Sequence, residues 1–195
     1  VEFTVHLTAQ IEELDASVGK VFSTLKELGI QNNTIVLFMS DNGGSRGTSM
    51  GPLKGGKGSL YEGGPRTPFL IHWPGSIPAG KVSHEIGVSS DLLPTLAKLC
   101  GGKLSGNKMD GRDLTDLFLN PDKAKSPHEG FAHKGKAYRL GKWKMVGKQL
   151  FDLEKDLGET HNLAKQYPEV LKKLNDKANE FFSKIEGEIR PHAKM

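Results

Sequence analysis

Asp41 and Asn42 stand side by side where an apolar run ends, and Lys54, Lys57 and Arg66 follow in a glycine-rich stretch. A carboxylate next to a carboxamide offers hard oxygen donors, the kind that calcium and magnesium take. Cationic side chains on a flexible backbone suit an oxyanion. Together the two sets suit a divalent metal holding a bound oxyanion. The Asp-Asn-Gly sequence is also common turn chemistry, and such turns often close a hairpin. A hairpin needs a second strand directly after the turn, and the residues from Gly44 to Gly56 do not read as one.

The loop from Gly51 to Gly58 comes close to a phosphate-binding G-x-x-x-x-G-K-[ST] loop and fails it twice. Gly58 occupies the place of the metal-binding hydroxyl, and no helix-forming run follows. What remains is a backbone able to approach an anion, with lysine acting as a point charge. The competing reading of both lysines is solvated loop charge. Glu62 and Arg66 frame the turn that leads out of the loop. Their opposite charges suggest a buried brace for it rather than direct contact with a substrate.

These residues need elements to hold them. Leu7, Ile11, Leu14, Val18, Phe22, Leu25 and Leu28 recur at helical spacing, which predicts an amphipathic helix covering a sheet. Asn32 and Asn33 make a turn, and the unbroken apolar run in Thr34–Ser40 predicts a strand buried on both faces of a parallel sheet. Ligands of such sheets sit beyond the carboxyl ends of the strands, where Asp41 and Asn42 fall. Residues 68–73 predict a second strand in which His72 is packed rather than catalytic. Ser90 or Asp91 is placed to cap a helix with Pro94 in its first turn. A short helical turn covers 114–119, and residues 120–127 read as a linker. Beyond it, 130–133, 136–140, 143–146 and 150–153 predict an antiparallel meander, followed by a helix over 168–185.

Net charge is +4 over 195 residues, but the lysines are interspersed with acids and no basic stripe carries aromatics, which argues against nucleic acid. A single cysteine, Cys100, excludes an internal disulfide and any cysteine-based zinc site, and its place at the end of an apolar helix pattern suggests an inert buried thiol. No apolar run reaches membrane-spanning length. The first residue is Val1, with neither a signal peptide nor an initiator Met, and the chain opens almost inside a helix. These features lead us to expect a piece of a longer protein.

Five segments resemble the sulfatases, in the alkaline-phosphatase-like superfamily. They are Leu14 to Gly19, Asn33 to Gly43, Lys57 to Pro68, Trp73-Pro74-Gly75 and Asp91 to Leu96. A sixth, Leu150 to Ala164, is similar to the late strand and turn of that family. The resemblance implies an α/β fold: the C-terminal part of the alkaline-phosphatase-like sandwich over 1–122, then a small antiparallel sheet and helix subdomain over 128–195. By resemblance, Asp41 and Asn42 are ligands of an active-site calcium, or magnesium, and Lys57 contacts the substrate sulfate as a catalytic and binding residue. Arg66 is scaffolding by the same resemblance, in line with its charge pairing to Glu62, and Lys54 falls where the family varies.

The departures matter as much. Sulfatases make formylglycine from Cys or Ser in a Cys/Ser-x-Pro/Ala-x-Arg motif, and this chain has none, since Gly-Gly-Lys-Leu follows Cys100. The resemblance therefore implies the C-terminal portion of a sulfate-ester hydrolase whose nucleophile lies elsewhere, with the chain inactive by itself. The alternatives are a phosphodiesterase-type member of the same superfamily and a non-catalytic remnant that binds an anion or a partner. Expected partners are a sulfate ester and, through an exposed apolar face, further copies of the chain; neither nucleic acid nor membrane is expected. The family implies a periplasmic, secreted or lysosomal location.

Overall fold

A computed structural model describes residues 2–45, 48–104, 106, 109–133 and 135–187. Its contacts divide the chain into two discontinuous units, residues 1–40 with 68–128, and residues 41–67 with 129–195.

In the first unit, helix α1 runs from Glu2 to Glu27. Strand β1, Val36–Met39, pairs antiparallel with β2, Phe69–His72, with Val36 opposite His72 and Met39 opposite Phe69. This corrects the parallel, doubly buried strand that the sequence suggests: Phe38 and Met39 are exposed, and β2 is the one strand paired with β1 among the described residues. An unbroken apolar run carries no information about which partner, in which direction, will take its hydrogen bonds. His72 is likewise exposed rather than packed away, and it meets Phe22 of α1 edge to face at 5.2 Å. The remaining core of this unit is small. Helices α2, Leu92–Leu99, and α3, Thr115–Leu119, gather Leu114, Leu117 and Phe118 against Ile71, Ile77 and Leu99.

Asp91 precedes α2 without capping it. Its fully buried carboxylate accepts hydrogen bonds from the backbone N–H of Val88 and of Arg112, each at 2.8 Å, and meets His128 Nε2 at 2.8 Å. A carboxylate this deep must be satisfied on both oxygens. Here it pins the segment after α2 back onto the turn before it.

The second unit is built on a four-stranded antiparallel meander: β3, Gly130–His133; β4, Ala137–Leu140; β5, Trp143–Val146; β6, Gln149–Asp152. Two-residue turns join β4 to β5 and β5 to β6, and Gly141 and Gly147 take the positive φ, 55° and 57°, that such turns require. Alternation then sorts the side chains. Tyr138, Met145 and Leu150 face helix α4, Pro168–Gly187, and pack on Leu174 and Ala178. Ala137, Val146 and Phe151 lie on the opposite face, under Leu60 and Tyr61 of the glycine-rich loop. That loop is therefore the second cover of the sheet. Among the described residues no helix is long and apolar enough to cross a membrane.

Candidate active site

The Asp41-Asn42 turn and the lysine loop are held together by main-chain bonds. Gly43 N–H donates to Gly64 C=O at 3.0 Å, and Lys57 N–H to Gly44 C=O at 2.9 Å. Within the loop, Gly63 N–H reaches Lys54 C=O at 2.8 Å and Arg66 N–H reaches Glu62 C=O at 2.9 Å. The approach is so close that a Cβ on Gly43 would lie 1.8 Å from Gly63 O. Glycine is needed here for space, not for an unusual φ.

Two of the candidate residues remain open to solvent. Asp41 and Lys57 are exposed, and among the described residues neither side chain has an ion-pair partner; Asn42 is half-buried and engaged. Lys54 has a different fate. Its Nζ donates to Glu159 C=O at 3.1 Å and lies 4.0 Å above the Tyr61 ring, so it serves the scaffold. Tyr61 in turn bonds Gln149 Oε1 through its hydroxyl at 2.6 Å and meets Phe151 edge to face.

Beneath the loop lies a buried ion cluster. Lys144 projects from β5 onto the loop face, and its Nζ sits 2.8 Å from Glu62 Oε1 and 3.1 Å from Glu159 Oε1. Lys144, Glu62 and Glu159 are all buried, Glu159 completely. Arg66 and Arg139 approach Glu62 Oε2 from the rim, at 3.6 and 3.8 Å. The sequence pattern suggests a buried Arg66 as the brace. The Arg66 side chain is 37% exposed, and the deeply buried cation is Lys144. Glu159 also adopts φ +52°, the only positive φ of a residue other than glycine among the described residues. Its Oε2 accepts the Glu62 N–H at 2.5 Å. Burial pushes the Glu159 carboxyl above its ordinary range, against the opposing pull of the Glu62 N–H and the Lys144 charge. Lys144 and Glu159 carry no signal in the sequence that ties them to the loop. In the alternation of β5, Lys144 reads as a solvent-facing position.

The donor chemistry of the turn fits part of a hard-cation site. One carboxylate and one carboxamide are the right type, but calcium takes about six to eight oxygens. Among the described residues no cluster of three or more His, Cys, Asp or Glu could hold a metal.

Helix α4 thus covers one face of the meander and the glycine-rich loop the other, and the Asp41-Asn42 turn is tied to that loop. The sulfatase family model matches residues 8–102. The chain is 37% identical to arylsulfatase A of Homo sapiens over 207 aligned positions, covering 83% of this chain and 40% of that protein. It is 42% identical to steryl-sulfatase of Mus musculus over 139 positions, covering 66% of this chain and 22% of the relative. The crystal structure of Ps i-CgsB superposes with a TM-score of 0.74 at 36% identity, covering 86% of this chain and 40% of that one. The chain belongs to the sulfatase family and has a portion of the alkaline-phosphatase-like fold. It spans 40% or less of the length of these relatives.

Proposed function

We propose that the chain is the C-terminal portion of a sulfate-ester hydrolase, supplying the sulfate-contacting cation and part of the metal site. What chiefly supports this is the pair of backbone bonds that locks the Asp41-Asn42 turn to the Lys57 loop while leaving both charged side chains open to solvent. Lys57 offers its ammonium to a non-bridging sulfate oxygen, where negative charge is held or develops during hydrolysis. Asp41 and Asn42 would hold a calcium ion, or magnesium, together with oxygens from outside this chain. Such an ion polarises an ester oxygen when bound. No formylglycine motif is present in the sequence, so no nucleophilic step falls to these residues, and the isolated chain turns over no aryl sulfate. A periplasmic, secreted or lysosomal location goes with the family reading.

Titrating the chain with inorganic sulfate, followed by the amide resonances of Gly55 to Gly58, tests the role of Lys57. Lys57→Ala should weaken binding about ten-fold or more, the worth of one charge-assisted contact. Equal binding by wild type and variant would remove Lys57 from the site.

A further inference from the structure

We propose that Lys144 and Glu159 are positioning residues, whose buried ion cluster with Glu62 sets where the Lys57 loop and the Asp41-Asn42 turn lie. This rests on the reading of Lys57 as the sulfate-contacting cation. It extends the site to β5 and to the turn after β6, far along the chain from the loop.

The energetics point away from a purely stabilising role. A buried ion cluster loses so much hydration that apolar groups of the same volume generally do as well or better. This one also holds Glu159 at φ +52°, and Glu159 Oε1, although 3.1 Å from the Lys144 ammonium, has no aligned hydrogen-bond donor. Strain and an imperfectly satisfied buried oxygen persist where surrounding structure over-determines them, often at functional sites. Here the surrounding structure is the loop. The Glu159 carboxylate takes the Glu62 N–H, and the Glu159 carbonyl takes the Lys54 ammonium, so one residue grips the loop at both of its ends.

From Glu62 the connection is short. Gly63 binds Lys54 C=O, Gly64 binds Gly43, and Lys57 N–H binds Gly44. The bonds to Gly43 and Gly44 admit little slack, because the two backbones touch with no room for a Cβ. A shift of Glu62 therefore moves the cation and the metal-type turn together. Such supporting contacts commonly change affinity or activity by about 10- to 100-fold when removed.

The test uses the whole chain with Glu62→Gln, Lys144→Met and Glu159→Gln combined, which removes the three buried charges together and leaves only the partly exposed Arg66 and Arg139 without the Glu62 charge. Two quantities are read: hydrogen exchange at the amides of Gly43, Lys57 and Gly64, and affinity for inorganic sulfate. The expected result is a denaturation midpoint near that of wild type, with those amides exchanging about ten-fold faster and sulfate binding about ten-fold weaker. Unchanged exchange at all three amides would overturn the proposal. If the midpoint falls, Ala178→Gly is the comparison, since it loosens α4 from the same sheet without touching the cluster. Equal acceleration of the three amides in Ala178→Gly, at matched midpoint, would reduce the cluster to a stability element and defeat the proposal. Faster exchange confined to the cluster variant would uphold it. Should wild type bind no sulfate, the reading of Lys57 fails by itself, while the amide exchange still decides the positioning role.

Discussion

Glu159 is a carboxylic acid held where its ionised form is disfavoured, and that has a defined sign in pH-dependent stability. Its native proton affinity is raised, chiefly by burial. The native state therefore binds the proton more tightly than the unfolded chain, whose carboxyl titrates near about 4.3. The stabilisation is complete below that value and is lost as pH rises through the raised native value. Urea unfolding of wild type and Glu159→Gln from about pH 4 upward should show the wild type losing ground to the variant as pH rises. A constant difference across that window would show that the carboxyl is not perturbed. Asp91 offers a second test at this scale. Its carboxylate accepts from two backbone N–H groups and meets His128, all while fully buried. An asparagine would turn an NH₂ group toward one of those donors. Asp91→Asn should cost about 1–3 kcal/mol in unfolding free energy, the usual penalty of an unsatisfied buried donor. The sequence places Asp91 at a helix start, which is correct. The destination of its side chain depends on Arg112 and His128, which no local pattern brings near.

At the scale of elements, the four short strands and the last helix fall within about two residues of their sequence-based placement, because two-residue glycine turns and period-two alternation are local signals. What alternation cannot tell is whether a polar face meets water or another layer. Arg139 and Lys144 look like the solvent side of β4 and β5, yet Lys144 is buried beneath the glycine-rich loop. The loop that covers them lies some eighty positions earlier in the chain, beyond the reach of any window. Lys144→Met alone, unlike the triple variant, leaves two buried carboxylates facing each other without their deepest cation. It should destabilise the chain by about 3–5 kcal/mol, read as a lower urea midpoint. A loss well under about 1 kcal/mol would mean that Arg66 and Arg139 neutralise the site from the rim. The direction of β1 was likewise hidden. Five apolar residues signal a strand, while its antiparallel pairing with β2 is decided across the intervening loop.

At the scale of the whole chain, the helical spacing of Leu7 to Leu28 identifies α1 correctly, but its apolar stripe is not covered as that pattern predicts. Ile11 is 57% exposed, and Leu14 and Val21 are each 51% exposed. Phe38, Met39, Phe69 and Leu70 add an exposed apolar ribbon in the same unit. Monomeric proteins seldom leave a contiguous apolar surface beyond a few hundred Å² open to water. Both strands of a two-stranded ribbon also keep one row of backbone donors and acceptors unpaired within the sheet, a ready template for another strand. We propose that the chain self-associates through this surface. Sedimentation equilibrium should give a mass above 21.3 kDa that rises with protein concentration. Ile11→Lys with Leu14→Glu, both on the exposed stripe, should shift the distribution toward the monomer without lowering the urea midpoint, since neither side chain is buried. If wild type sediments as a monomer at every concentration, the stripe is tolerated by the isolated chain and self-association is refuted. If the double variant associates as strongly as wild type, the ribbon edges of β1 and β2 are the contact, and a lysine on the exposed strand position Leu70 becomes the substitution that should break it.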